Sequence, residues 1–258
     1  MKDLLKFESR KLFHAKILYI CIIIVIAVLL LFMGVQKLTD VLMEEISGAE
    51  SDIFLIGTGN SGLSWMLSSL TPYVIMVFGV FTAIYVCGDF GNGTIKNIFS
   101  RGYSRTEVYF SKYLISLFVQ LGFGLVAMLV GFLGGTLMWR IGGGWSFKVI
   151  LLMLIQLVGI AAYNALFCFF AALLKKMAAT MILAIATPFA FSLILSLIDL
   201  LVDLRRVNIS DFWISGCISS ASSVGASSGD MIRGLVVALV YIAIFTVCGW
   251  LLARKREV

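Results

Sequence analysis

The sequence predicts an all-α integral membrane protein with six transmembrane helices and both termini in the cytoplasm. Of its 258 residues, 61% are hydrophobic and 13% are charged, and the mean hydropathy is +1.06. Soluble domains are about 45–50% apolar and about 25% charged, so a soluble globular protein is excluded. Six runs lack Asp, Glu, Lys and Arg and approach or exceed the roughly 20 residues that cross a bilayer core. They are 17–35, 65–87, 113–138, 149–174, 177–198 and 234–252.

The segments between these runs are too short to fold as separate domains. The longest, 36–64 and 199–233, stay below the roughly 40 residues that an independent domain needs. The whole chain, 1–258, is therefore expected to be a single transmembrane domain.

The distribution of charge sets the expected orientation. Fourteen of the 20 Lys and Arg residues lie in 1–16, 88–112, 175–176 and 253–258, which fall on one side of a six-span topology. Because cationic loops are retained in the cytoplasm, this side is the cytoplasmic one. Nine of the 14 acids fall on the opposite side, which is therefore acidic.

Residues 1–16 predict a cytoplasmic elbow helix at the membrane interface, ahead of an uncleaved first span. An interfacial helix separates an apolar face from a cationic one. A cleaved signal peptide is disfavoured, because the apolar run exceeds 7–15 residues and no A-x-A site follows it. The apolar face consists of Leu4, Leu5, Phe7 and Leu12, with Glu8 and Lys11 among these positions, and the opposite face of Lys2, Lys6 and Arg10.

The second cytoplasmic segment, the coupling loop 88–108, is more patterned than a simple connector. At 100° per residue, 89–100 forms a short amphipathic helix. Such a helix can lie on lipid headgroups or dock onto a cytoplasmic partner; two glycines in one turn weaken a free helix, which favours docking into a groove. Its apolar half is Phe90, Thr94, Ile95, Ile98 and Phe99, and its polar half is Asp89, Asn92, Gly93, Lys96 and Asn97.

Within the spans, polar and small residues predict close helix packing. Gln120, Gln156 and Asn164 are expected to form hydrogen bonds between helices. Ala127, Gly131 and Gly135 form a small-xxx-small ridge, which suits packing inside one bundle or a dimer seam.

The fifth span contains Pro188, which removes a backbone hydrogen bond and predicts a kink. The hydroxyls of Thr187, Ser192 and Ser196 can bond to the freed carbonyls, and the same group can instead line a pathway.

The outer segment 199–233 predicts a re-entrant or interfacial hairpin before the sixth span. Residues 212–229 carry no charge but contain many serines and glycines, which makes a seventh span unfavourable. Phe212, Trp213 and Ile214 are expected to dip into the membrane. The loop thiol of Cys217 has no assigned role.

No catalytic, metal-binding or cofactor-binding motif is found in the sequence. The single histidine, His14, lies in the leader, and no carboxylate lies within a predicted span, so an intramembrane enzyme has no general base. An ion-coupled secondary transporter usually carries intramembrane charges, which these spans lack. The chain contains no Gly-Lys pair and hence no P-loop for ATP.

Three motifs together resemble the permease subunits of ABC transporters of the second exporter type, in the bacterial branch associated with bacitracin and lantibiotic self-protection and peptide-toxin export. They are the leader 4–12, the acid-aromatic-x-x-Gly-Thr-Ile-Lys segment 89–96, and the turn 102–105. The family more often has Glu where this chain has Asp89, and commonly Pro where it has Gly102. The resemblance covers the whole six-span length.

The resemblance implies an ATP-driven exporter in the bacterial plasma membrane, with two permease copies and two cytoplasmic ATPase subunits that hold ATP and magnesium. Its cargo would be amphipathic, such as an antimicrobial or toxin peptide. A stand-alone immunity protein that sequesters peptides at the acidic outer face, or a secondary transporter, is the alternative. The expected ATPase contact consists of Asp89, Phe90, Gly93, Thr94, Ile95, Lys96, Ile98, Phe99, Arg101 and Arg105.

Overall fold

The fold was obtained as a computed structural model, which describes residues 2–47, 61–91, 94–100, 102–142, 146–202, 209–222, 225 and 227–255. Over these residues the chain is helical, with no strand. The helices are α1 (Lys2–Phe13), α2 (Lys16–Ser47), α3 (Gly62–Ser68), α4 (Pro72–Gly91), α5 (Thr94–Ser100), α6 (Arg105–Met138), α7 (Phe147–Leu174), α8 (Met177–Ala186), α9 (Ser192–Val202), α10 (Ile214–Ser220) and α11 (Ser228–Lys255).

Six helical segments in the described part of the chain are long and apolar enough to cross a membrane, as the sequence predicts. They are Lys16–Leu42, Pro72–Phe90, Arg105–Met138, Phe147–Leu174, Met177–Leu201 and Ser228–Arg254. The helices α4 and α7 are the most buried of the six and form the centre of the bundle. Phe78 and Phe81 of α4 and Tyr163 and Phe167 of α7 are fully buried there.

The predicted second span, 65–87, is divided in the structure. A short helix, α3, ends at Ser68, and α4 begins at Pro72 after a break. Proline lacks a backbone N–H and is well placed at the first position of a helix, which explains where α4 begins. Ser61 caps α3, because its side chain accepts a hydrogen bond from the N–H of Ser64.

The helix expected over 89–100 falls in two described helices. The structure carries α4 to Gly91 and describes α5 from Thr94 to Ser100, and residues 92–93 lie outside the described part of the chain. Asp89 and Phe90 are the last turn of the helix that forms the second membrane-crossing segment.

Other boundaries extend beyond the predicted ones. α2 continues to Ser47, twelve residues past the expected end of the first span at 35, because no Gly or Pro occurs between Gly34 and Gly48. The fifth span contains a π-helical turn, Thr187–Phe191, at the predicted kink. α11 begins at Ser228, ahead of the predicted 234.

In the described part of 199–233, Ile209–Phe212 form a 3₁₀ turn, and α10 follows it and packs against α7 and α11. Ile218 of α10 faces Gly159 of α7, where an added Cβ would lie 2.7 Å from the Ile218 Cγ1. Gly159 lies twelve residues into α7, about 18 Å from its start at 1.5 Å per residue. α10 thus reaches the middle of α7, a position that a re-entrant hairpin would occupy. Ile214 is fully buried, whereas Phe212 stays exposed.

Candidate functional site

The short helix α5 is fixed to the end of the bundle through a small apolar cluster. Ile98 is buried and packs with Leu4 of α1 and Val108 of α6, with Phe99 and Tyr103 alongside. The helix α5 is therefore attached to both the leader helix and the third transmembrane helix.

The turn between α5 and α6 is closed by local hydrogen bonds. The N–H of Gly102 donates to the carbonyl of Phe99 over 2.9 Å, and Gly102 has φ +85°. Glycine adopts this left-handed conformation freely, whereas proline is locked near −65°, so this turn requires Gly where the resembling family commonly has Pro. Ser104 and Glu107 then form a capping box at the start of α6.

Close to α5 lies a group of four charged residues, three of them buried, which we call the ion cluster: Glu8, Lys11, Asp89 and Lys112. The Lys112 ammonium contacts Glu8 Oε1 at 3.3 Å and also contacts the Asp89 carboxylate. Lys11 pairs with the same Asp89 carboxylate. The side chains of Lys112, Glu8 and Asp89 are 4%, 1% and 6% exposed, whereas Lys11 is 38% exposed.

Tyr85 completes the surroundings of the ion cluster. Its hydroxyl donates a 3.0 Å hydrogen bond to Glu8 Oε2, and the Lys112 ammonium lies 5.1 Å from the centre of its ring. Buried charges are tolerated only when they are paired and hydrogen-bonded. The ion cluster therefore links α1, α4 and α6 through charges that cannot separate without a large desolvation cost.

Sequence reasoning missed this cluster, although a signal was present. Glu8 lies midway between Leu4 and Leu12, which are both buried, and residues four apart share one helix face. A carboxylate on the buried face of the leader helix is stable only when a cation is buried beside it. In this fold that cation is Lys112.

The structure separates the residues expected to contact an ATPase. Asp89 is turned inward into the ion cluster and is 4% exposed, so its carboxylate does not lie on an open surface of this chain. Ile98 is buried, Phe90, Thr94 and Phe99 are half-buried, and Arg105 is exposed. Gly93 and Arg101, and the side chains of Ile95 and Lys96, lie outside the described part of the structure.

At the opposite end of the bundle lies a cavity of about 950 Å3 including open solvent, which we call the outer cavity. It is bounded by the α3–α4 junction, α7, the π-helical turn, α9 and α10. Of the predicted pathway residues, Pro188, Ser192 and Ser196 line it. Thr187 does not; its hydroxyl donates to the carbonyl of Leu183. The cavity wall is rich in hydroxyl groups, contributed by Ser68, Thr71, Tyr163, Ser192, Ser196, Ser210, Ser215, Ser219 and Ser222.

Two of the serines that line the outer cavity, Ser192 and Ser196, also bond to the backbone of the fifth span. Ser192 donates to the carbonyl of Pro188 over 3.0 Å, and Ser196 donates to that of Ser192 over 2.8 Å. Asp211, the acid at the cavity wall, is paired with Arg233 at 3.1 Å. Within the described residues, no group of three or more His, Cys, Asp and Glu side chains is placed to hold a metal ion.

The three amides at membrane depth act between helices. Gln120 of α6 donates to the Thr82 hydroxyl of α4 over 2.5 Å. Asn164 of α7 donates to the carbonyl of Tyr113 of α6 over 3.5 Å. Gln156 of α7 donates to the carbonyl of Leu67 in α3 and, over 2.9 Å, to that of Ala221, so it joins α3 to the end of α10. This is the packing role that the sequence indicates.

The ridge of small residues packs inside the same chain. An added Cβ at Gly131 would lie 2.8 Å from the Trp65 carbonyl oxygen, and one at Gly135 would lie 2.9 Å from the Trp65 Cβ. Ala127 is fully buried. The sequence left open whether this ridge packs inside one bundle or forms a dimer seam. In the described residues it packs inside the bundle, against α3.

Cys217 lies on the buried face of α10. Burial raises the pKa of its thiol to about 11, so the group stays protonated and unreactive at neutral pH.

Comparison with known proteins identifies one family. Residues 4–199 match the model of a family described as ABC-2 family transporter protein. The match covers most of α1, the ion cluster, α5, the first four membrane-crossing segments and nearly all of the fifth. A search of curated proteins returns no significant match.

Proposed function

This chain belongs to the ABC-2 transporter family of multi-pass exporter permeases, which work with a cytoplasmic ATPase, and from this premise we propose how it couples to that partner. The main observation behind the proposal is the way in which α5 packs against the bundle. Ile98 holds α5 against Leu4 and Val108, directly beside the buried ion cluster. We propose that α5 and the turn before Arg105 form the coupling helix that receives the ATPase.

The charge asymmetry supports a cytoplasmic position for this end. The cations of 1–16, 88–112, 175–176 and 253–258 accompany α1, α5 and the ends of the neighbouring helices. Cation-rich segments are retained in the cytoplasm. Both termini then lie inside, and the outer cavity opens towards the exterior of a bacterial plasma membrane.

Motion of the ATPase would reach the bundle through the ion cluster. A push on α5 acts on α1 and α6 through Leu4 and Val108, and Lys112 ties both helices to α4. Because separating buried paired charges is costly, these three helices move as one body. Rocking of such a body between two packed arrangements exposes the pathway alternately to each side.

The outer cavity supports an amphipathic cargo. Its hydroxyl groups can exchange hydrogen bonds with peptide amides, and its acid is neutralised by Arg233. Aromatic rings lie nearby, since Phe191 stacks on Trp213 with 4.9 Å between ring centres. A peptide with one polar and one apolar face fits this combination. We propose two permease copies around one pathway and two ATPase subunits, which hold ATP and magnesium.

The test is co-purification of the tagged permease with its ATPase in mild detergent, followed by an assay of ATP hydrolysis. The double variant Phe99→Ala, Arg105→Glu removes an aromatic contact and reverses a charge at the coupling turn. A truncated contact residue costs more than about 1 kcal/mol when it matters, so two should lower the co-eluting ATPase at least roughly tenfold.

The matched control is Phe147→Ala, Arg140→Glu, which makes the same changes at exposed positions at the opposite end of the bundle. It should retain the ATPase. Equal retention of the ATPase by both double variants would rule out docking at α5. A permease that protects cells from an antimicrobial peptide with no ATPase bound would favour a stand-alone immunity protein.

A further inference from the structure

The outer cavity presents many hydrogen-bond acceptors. A hydroxyl group has one hydrogen to donate and two lone pairs that accept. Five of the serines that line the cavity donate that hydrogen to a backbone carbonyl three or four residues earlier in the chain. They are Ser68, Ser192, Ser196, Ser219 and Ser222. Within the described residues none of these five oxygens accepts a hydrogen bond, so their lone pairs are available to a ligand.

Nitrogen donors are scarce in the same wall. Among the described residues, no Lys, Arg, His, Asn, Gln or Trp side chain lines the cavity. The two prolines of the sequence, Pro72 and Pro188, both line it and have no backbone N–H. The N–H of Ser210 is already used, because it donates to the Asp199 carboxylate over 3.0 Å. A carboxylate or a phosphate would therefore find few donors here.

The formal charge at the cavity wall is negative. Of the residues given above for the wall and the rest of its described lining, only Asp211 carries a charge. Arg233 pairs with Asp211 at 3.1 Å and with Asp230 at 2.9 Å, so one guanidinium serves two carboxylates. The three groups together carry a single negative charge, which favours a cation over an anion in the cavity.

The buried part of the cavity wall is apolar. Leu67, Leu70, Ile75 and Ile218 line the cavity and are all buried. The enclosed space is about 370 Å3, which is within the range of small-molecule sites. A bare metal ion needs far less room and gains nothing from aliphatic walls, since its ligands are oxygen, nitrogen or sulfur atoms. Size and composition therefore favour an organic group whose charge lies next to an apolar body.

The acceptors are held in place by contacts within the fold. An added Cβ at Gly216 would lie 2.6 Å from the Ser210 carbonyl oxygen, so α10 packs closely on the 3₁₀ turn. The Asp199 carboxylate, which accepts from Ser210, also accepts the N–H of Ile209 over 2.6 Å and ties this turn to α9. A wall that is already ordered loses little conformational entropy when a ligand binds.

We propose that the outer cavity binds a primary ammonium group next to an apolar residue, supplied by the amino terminus of a peptide or by one of its lysine side chains. An ammonium has three N–H donors and no acceptor, which matches a wall of lone pairs. The apolar neighbour lies against Leu67, Ile75 and Ile218. This inference rests on the proposed use of the outer cavity by the cargo, and it specifies which part of an amphipathic peptide the cavity recognises.

The test is equilibrium binding of short peptides to the permease alone in phosphatidylcholine nanodiscs, with empty nanodiscs as the blank. The probes are Leu-Phe-Ala amide, its N-acetyl form, and N-acetyl-Lys-Phe-Ala amide. At about pH 6.5 a free α-amine, with a pKa of about 7.7–8.0, is protonated. Leu-Phe-Ala amide should bind roughly tenfold more tightly than its N-acetyl form, since a hydrogen bond to a charged group contributes about this factor. The lysine peptide carries the ammonium on a side chain, so its affinity shows which of the two sources fits better.

Two pairs of variants locate the binding site. Ser219→Ala removes one acceptor and should weaken Leu-Phe-Ala amide roughly fivefold. Ser220→Ala is its matched control, because the Ser220 hydroxyl donates to the Cys217 carbonyl in the same way but does not line the cavity. Ser196→Trp fills the cavity from α9 and should abolish binding of all three peptides, whereas Leu197→Trp, at an exposed position outside the cavity, should not.

The inference is overturned if the N-acetyl form binds as tightly as Leu-Phe-Ala amide, if neither amine peptide binds, or if Ser220→Ala is as damaging as Ser219→Ala. Binding that is lost in Ser196→Trp but does not depend on an amine would refute the ammonium and leave the outer cavity as a cargo site. Binding that survives Ser196→Trp would refute the proposed cargo site itself. Docking of the ATPase at α5 is untouched by either result, because no ATPase is present.

Discussion

Replacing Lys112 by Met tests whether the ion cluster holds the leader helix to the bundle. The substitution removes the one cation that contacts both Glu8 and Asp89. Among the described residues, Asp89 then still pairs with Lys11, whereas Glu8 retains the hydrogen bond from the Tyr85 hydroxyl and no cation. One carboxylate, 1% exposed, is thus left without a counter-charge.

Breaking a buried ion pair by removing one partner costs about 3–5 kcal/mol. For a chain of about this length, 1 kcal/mol corresponds to roughly 2–4 °C in the unfolding midpoint. Lys112→Met should therefore lower the midpoint of the purified permease by roughly 6–20 °C. The five buried or half-buried free cysteines allow unfolding to be followed with a thiol-reactive dye as well as by tryptophan fluorescence.

Lys11→Met is the matched control, because Lys11 contacts the same Asp89 carboxylate from a more exposed position. An ion pair with a solvent-exposed partner contributes only about 0–1 kcal/mol, so a loss of at most roughly 4 °C is expected. The triple variant Glu8→Gln, Asp89→Asn, Lys112→Met should recover much of the loss, because it removes all three buried charges and leaves none of them without a partner. Equal losses for Lys11→Met and Lys112→Met, or no recovery in the triple variant, would show that the buried ion pairs do not hold α1 to the bundle.

Three further predictions concern packing and reactivity. Gly131→Leu should lower the unfolding midpoint, because overpacking against Trp65 costs about 1–3 kcal/mol. Gly122→Leu on the same helix, with open space around it, should not lower the midpoint. Equal losses would contradict the packing of α3 against this ridge. Gln156→Leu should cost about 1–3 kcal/mol by leaving two buried carbonyls without their donor, and an unchanged midpoint would show that these bonds are dispensable. Cys217 should resist maleimide labelling in the folded protein at pH 8, because its side chain is fully buried and burial raises the pKa of its thiol; rapid labelling at pH 8 would mean that α10 is not buried as described.

Local features of the sequence were sufficient to predict the number and approximate positions of the membrane-crossing segments. Each predicted span overlaps one of the six apolar helices of the structure, and Pro188 falls in the π-helical turn of the fifth. The amides Gln120, Gln156 and Asn164 bridge helices, as polar groups at membrane depth are expected to do. Span number depends on the transfer free energy of each side chain into lipid, which is nearly independent of neighbours far along the chain.

Boundaries within those spans were harder to predict, because apolar composition alone does not show where backbone hydrogen bonding stops. The run 65–87 contains no charge, yet α3 leaves the line of α4 ahead of Pro72. The close approach of Gly131 and Gly135 to Trp65 provides a seat for α3. That contact joins residues some 70 positions apart, and no local pattern reports it.

The six apolar runs and the patterned segment after the second of them are features of the amino-acid sequence alone. The packing of the helices was needed to show that Glu8, Asp89 and Lys112 form one buried cluster and that the Asp89 carboxylate faces inward. Glu8 lies 104 residues from Lys112, and Asp89 lies 23 residues from it. The sequence alone does not show whether a charged side chain at a helix end is exposed or buried. Burial costs desolvation free energy, and only an opposite charge that helix packing places beside it offsets that cost.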